Sequence, residues 1–174
     1  MEQEVNESEP ISGDSPTEDY SVESLYKRFP NPLQHYKVAV YVKYQLNCLQ
    51  PDYLRNLKSD YDEMLSRYEN WEFVDYYVDT APQSASLSDL ESWIRLVSDC
   101  ESGKVDLILI GNAFAFDIGE LYLCVRFLAS LQPPVGVFFE EQNLFSLAPD
   151  SLFLAHDSVE FESNLVLQNR RKKT

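Results

Sequence analysis

Glycine is scarce, with five residues in a chain of 174. Rossmann and P-loop phosphate cradles need glycine so that backbone can approach the ligand, and no Gly-rich turn follows any strand-like stretch. Nucleotide cradles of that type are therefore excluded. Histidine is scarcer still. His35 has no ligand-type residue three or four positions on, and His156 has only Glu160. Two side chains do not make a metal site, so no metal and no cofactor is expected. The three cysteines, Cys48, Cys100 and Cys124, form no C-x-x-C pair. Their odd number suits a reducing, cytoplasmic setting and argues against a disulfide scaffold or a zinc site. Basic residues are also few, 14 Lys and Arg against 29 Asp and Glu, for a net charge of −15. Binding to a phosphate backbone rests on Lys and Arg, so it is not expected as the main activity. Apolar runs such as Val105–Ile110 and Leu121–Leu131 fall short of the roughly 20 residues of a membrane span. The first thirty residues contain no apolar signal-peptide core.

What is present divides the chain in three. Residues 1–35 read as a disordered acidic tail. Glu2, Glu4, Glu7, Glu9, Asp14, Glu18, Asp19 and Glu23 are opposed only by Lys27 and Arg28, and little apolar area is available to offset ordering entropy. Residues 36–149 carry the globular pattern. Lys37-Val38-Ala39-Val40-Tyr41-Val42 reads as a strand buried on both faces. Pro51 opens a helix with Leu54, Leu57, Tyr61, Leu65 and Tyr68 on one stripe. Trp71–Val78 is a second strand. Ser88-Asp89-Leu90-Glu91 matches a capping box ahead of a helix bearing Trp93, Ile94, Leu96 and Val97, with Gly103 as its C′ residue. Val105–Ile110 is the clearest buried strand. Asp117 caps a helix through Leu121, Val125, Leu128 and Leu131, ended by Pro133-Pro134, and Val135–Phe139 is a fourth strand. Residues 150–174 read as a long C-terminal helix over Asp150–Asn169 with a basic end, Arg170 to Lys173. Strand and helix alternate four times. That pattern predicts an α/β three-layer sandwich with a mainly parallel four- to five-stranded sheet and helices on both faces.

Ligands of such sheets bind beyond the carboxyl ends of the strands. The loop from Gly111 to Phe116 offers no nucleophile, base or cation. Glu72, Asp75 and Asp79 form an acidic strand that reads as a solvated edge rather than a Mg²⁺ site. Glu140 and Glu141 are adjacent in an extended segment, so they point to opposite faces and do not form a carboxylate pair. In the final helix Leu152, Ala155, Val159 and Val166 lie at spacings of three, four and seven, and Leu154, Phe161 and Leu165 widen the stripe. Such a stripe either folds back onto the domain's own sheet or, where part of it is exposed, is a surface for self-association or a partner.

Five stretches resemble, in order, the catalytic domain of serine site-specific recombinases, the resolvase/invertase family. Val38 to Lys43 resembles the opening strand, which in the family ends Tyr-x-Arg-x-Ser. Trp71-Glu72-Phe73-Val74 with Tyr77-Val78-Asp79 is similar to the second strand. Asp99 to Ile108 resembles the helix-to-third-strand passage, and this match is the most specific. Val137 to Leu144 resembles the fourth strand and its exit. Leu152 to Asn169 resembles the start of the long helix that carries dimer contacts.

The resemblance implies an enzyme that attacks a DNA phosphodiester with a serine hydroxyl, with arginines stabilising the developing charge. This chain departs from that set. Gln45 stands at the nucleophile position and Lys43 at the arginine two residues before it. Leu90 stands at the arginine near the second helix, and Ala115 and Ile118 stand at the Arg-x-x-Arg after the third strand. A carboxamide cannot form a phosphoserine link, and lysine lacks the bidentate fork of arginine. The expectation is therefore a non-catalytic, recombinase-like domain acting through protein contacts. Its partner would be itself or a serine recombinase, engaged through the final helix, with weak or no DNA binding. An acidic DNA mimic, or an inhibitor of a nucleic-acid-binding protein, is the alternative from charge. An active recombinase is the reading these residues support least.

Overall fold

The computed structural model describes residues 29–45 and 51–149, together with Ser151, Val166, Leu167 and Arg170. Strand β1 (Tyr36–Tyr44) leads to helix α1 (Tyr53–Leu65) and strand β2 (Trp71–Thr80). Helix α2 (Glu91–Glu101), strand β3 (Leu107–Ile110), helix α3 (Ile118–Ala129), strand β4 (Gly136–Phe139) and strand β5 (Leu144–Phe145) follow. One sheet holds all five strands in the order β2-β1-β3-β4-β5. Val40 pairs with Tyr76 on one side and Leu109 on the other, and Leu109 pairs with Phe138, all in parallel. Only β5 runs antiparallel, Phe138 opposite Phe145. The two most continuously apolar strands, β1 and β3, thus lie inside the sheet, where both faces are covered.

The two-residue period of β1 sorts its side chains between two cores. Ala39 and Tyr41 join Ile108, Ile110, Val137 and Phe139 against Trp93 and Leu96 of α2 and Leu121, Val125 and Leu128 of α3. Val38, Val40 and Val42 join Leu107, Leu109 and Phe138 against Tyr61 and Leu65 of α1. A register shift between Val38 and Ala39, opposite Phe73 and Asp75, leaves Val74 as the extra residue of a bulge.

Several expected boundaries move. Phe29 falls in the segment assigned to a tail, yet its ring stacks on Trp71 at 5.8 Å and meets Phe138 edge-on at 5.0 Å. Pro30 beside it is buried. Packing therefore begins by Phe29, because one aromatic ring buries enough area to offset its ordering. Residues 1–28 lie outside the described residues. Pro51 sits in a turn before α1, and Tyr68 lies beyond its end.

The capping box at Ser88 does not form. Leu87–Asp89 is a 3₁₀ turn whose own cap is Ser86, and α2 starts at Glu91 with no local side-chain cap. Its first donors, the backbone N–H groups of Ser92 and Trp93, instead donate to the Asp79 carboxylate at 3.0 and 2.9 Å. That carboxylate stands at the end of β2, and a remote acid serves the helix N-terminus as well as a local one. Gly103 does close α2. It adopts φ +77°, its N–H donates to Cys100 O, and Lys104 N–H donates to Asp99 O. These are the two bonds of a Schellman end. Asp117 caps α3 by accepting from Glu120 N–H at 2.9 Å. Among the described residues, no helix is long and apolar enough to cross a membrane.

Candidate functional site

The parallel strands deliver their following residues to one crevice at the carboxyl edge of the sheet. Lys43 and Tyr44 come from the end of β1, with Gln45 just after them. Ala81 and Gln83 follow β2, and Asn112, Phe114 and Ala115 follow β3. These eight residues line a cavity of about 140 Å³. Of the five positions singled out by resemblance, Lys43, Gln45 and Ala115 meet here. Leu90 does not. It is only 5% exposed and belongs to the core between the sheet and helices α2 and α3. Ile118, the first residue of α3, is half-buried and packs against that same core.

Among the described residues Lys43 is the one cation lining the crevice, and its ammonium is committed. Nζ donates to the carbonyl of Ala115 at 3.0 Å and of Gln83 at 3.1 Å, and it stands 5.4 Å from the centre of the Phe116 ring. Burial pushes its pKa below the ordinary lysine value, with Glu120 acting in the opposite direction. The Glu120 carboxylate accepts from Ser86 Oγ at 2.6 Å and Leu87 N–H at 2.9 Å.

The loop after β3 is held by side-chain amides. Asn112 Oδ1 accepts from Phe114 N–H at 2.9 Å and from Gln142 Nε2 at 3.1 Å. Gln142 Oε1 accepts from Ala113 N–H at 2.9 Å, and Gln83 Nε2 donates to Phe114 O at 3.0 Å. Gln83 and Gln142 were not expected at the site from sequence. The available signal was their place just after β2 and β4, beside a loop that needs backbone partners.

The acids read from sequence have separate partners. Asp79 accepts from the Tyr41 hydroxyl at 2.9 Å and caps α2. Asp75 pairs with Arg95 at 3.2 Å, and Glu72 lies 3.7 Å from His35 on the surface. Glu140, half-buried after β4, accepts from the Tyr61 hydroxyl, while Glu141 is exposed. Burial raises the Glu140 pKa and the Tyr61 hydrogen bond opposes that rise. Among the described residues, no three His, Cys, Asp or Glu side chains are grouped as metal ligands. Cys100 is buried, which pushes its thiol up to about 12. Within the described residues the crevice offers one engaged ammonium, Tyr44, carboxamides and backbone.

In the stripe assigned to partner contact, Leu152, Ala155, Val159, Phe161 and Leu165 lie outside the described residues, as does His156. Val166 is helical and half-buried, and Arg170 is helical and exposed.

No protein-family model matches this chain, and no curated protein matches it. Solved structures do. The N-terminal catalytic domain of TP901-1 integrase superposes with a TM-score of 0.52 at 16% identity, covering 79% of this chain and 96% of that one. A resolvase family site-specific recombinase from Streptococcus pneumoniae superposes with a TM-score of 0.52 at 17% identity, covering 79% and 91%. The fold is that of serine recombinase catalytic domains.

Proposed function

We propose that this chain puts a serine-recombinase fold to non-catalytic use, working through protein contacts with itself or with a recombinase and so modulating DNA recombination. One observation carries the reading: among the described residues, the crevice matching the family's active site is lined by a single cation, Lys43, and two backbone carbonyls hold it. Phosphoryl transfer needs donors aimed at the oxygens that gain charge. At the family's other arginine positions stand Leu90, Ala115 and Ile118, all three packed into or against the core. At the nucleophile position Gln45 has no hydroxyl to form a phosphoserine bond. The long final helix is the proposed contact element, resting on the apolar stripe from Leu152 to Val166.

A covalent trap tests this. Full-length chain incubated with supercoiled plasmid, then denatured, gives no protein–DNA adduct, and Gln45→Ser alone gives none either, since a serine without charge stabilisation is a poor nucleophile. An adduct formed by the unmodified chain refutes the reading.

A further inference from the structure

On the face of α2 and α3 turned away from the sheet, Trp93, Ile94, Val97, Leu123, Cys124 and Phe127 line a groove of about 450 Å³. Its residues differ in depth. Trp93 is 3% exposed and forms the floor, while Ile94 at 51%, Leu123 at 66% and Phe127 at 44% stand as walls. Scattered surface leucines are ordinary. Three large apolar side chains around a buried indole make a cleft, and its volume lies in the range of about 300–1,000 Å³ that takes a small organic molecule. The cleft shares no residue with the crevice at the carboxyl edge of the sheet.

The polar residues on its border are Ser88, Ser98, Glu101 and Glu120, so among the described residues both charged groups are carboxylates. Glu101 is exposed in the last turn of α2, where water and salt screen it. Glu120 is half-buried, and its carboxylate is held in place by Ser86 Oγ at 2.6 Å and Leu87 N–H at 2.9 Å. Both bonds end on Oε1, which leaves Oε2 with acceptor capacity. Among the described residues no ion pair neutralises it. Lys43 feels its charge, but that ammonium is bonded to the carbonyls of Ala115 and Gln83. A fixed, half-buried carboxylate beside an apolar cleft selects a cation, because partial burial strengthens the attraction and an indole face adds to it. An anion would meet two carboxylates. We infer that the α2–α3 cleft binds a small amphipathic cation, with an aromatic body against Trp93, Leu123 and Phe127 and an ammonium group on Glu120. This goes beyond the protein-contact reading and does not depend on it.

Calorimetric titration of the full-length chain with three probes that share one ring system tests it: naphthylmethylammonium, naphthylmethanol and naphthoate. The native chain binds the ammonium more than about tenfold more tightly than the alcohol, the gap that a charge-assisted hydrogen bond implies, and binds naphthoate least. Added salt narrows the gap. Glu120→Gln, which still accepts from Ser86 and Leu87, brings the ammonium to the level of the alcohol. Leu123→Ser with Phe127→Ser weakens ammonium and alcohol alike, and keeps the native thermal transition because both side chains are largely exposed. A native chain that takes up none of the probes, or binds all three equally, overturns the inference, as does undiminished ammonium binding in either variant. A native chain that binds no probe but self-associates, and loses that association with Leu123→Ser and Phe127→Ser, gives the groove to a second copy and overturns the inference as well. None of these outcomes refutes the protein-contact reading, which falls separately, to a covalent DNA adduct.

Discussion

Asp79 carries three jobs that no sequence neighbour shares, so its removal gives a measurable cost. Its carboxylate accepts from the N–H groups of Ser92 and Trp93, and from the hydroxyl of Tyr41, whose side chain is 1% exposed. Asp79→Ala removes the only side-chain cap on α2, at about 1 kcal/mol. It also leaves a buried tyrosine hydroxyl without its acceptor, at about 1–3 kcal/mol. The expected loss is about 2–4 kcal/mol, or roughly 4–15 °C in melting temperature for a chain of this size. Urea denaturation followed by circular dichroism measures it. Tyr41→Phe separates the two parts. With the hydroxyl gone, Asp79→Ala costs only the cap, so the double variant loses less than the sum of the single ones. A loss below about 0.5 kcal/mol, the range of featureless surface substitutions, or strictly additive single variants, would refute the assignment.

Two further outcomes follow from the site and the sheet. Burial raises the pKa of Glu140 above its unfolded value, so in the window between the two values the folded state holds more protons than the unfolded state, and stability falls as pH rises through that window. Glu140→Gln, which still accepts from Tyr61, flattens this fall; denaturation of both chains between about pH 4 and 7 checks it, and an unchanged slope speaks against the burial assignment. Gly136→Ala places a Cβ 2.5 Å from Phe145 Cε2 and 3.2 Å from Leu147 Cδ1, which costs about 1–3 kcal/mol by overpacking; pairing it with Phe145→Leu recovers part of that loss in the same urea assay, and no recovery would place the strain elsewhere.

Strands β1 and β3 were legible because a strand covered on both faces must be apolar at nearly every position, and Val38–Val42 and Leu107–Ile110 are. Gly103 and Asp117 were legible because their roles are local: a left-handed end and an N-cap act within a few residues. The cap of α2 was not, since its acceptor comes from the end of the neighbouring strand and a local Ser-x-x-Glu pattern competed for attention. Phe29 could be named as a residue able to dock, but not its site, because Trp71, Tyr68 and Phe138 are brought to it by β2, the turn before β2 and β4, far along the chain. At the crevice, Lys43, Gln45 and Ala115 could be named from the family pattern. The partners of Lys43 could not, because both are backbone carbonyls and no side-chain pattern encodes them.

Those carbonyls decide what the crevice can bind. A phosphate reaching Lys43 has to draw the ammonium away from Ala115 O and Gln83 O. The Gln83 carbonyl is exposed and water can replace its donor, but the half-buried Ala115 carbonyl left without one costs up to about 1–3 kcal/mol, while one charge-assisted hydrogen bond returns about 1.5–3 kcal/mol. The exchange is close to even before the phosphate's own desolvation is counted, and desolvation makes it unfavourable. An arginine in the same place would change the balance. Its five donors can keep a carbonyl and still present a bidentate fork to phosphate oxygens. Lysine at this position therefore does more than weaken an arginine contact. Its ammonium ties the β1 end to the loops after β2 and β3, and holds the crevice closed around backbone. The same bonds that order those loops withhold the charge that phosphoryl chemistry would need.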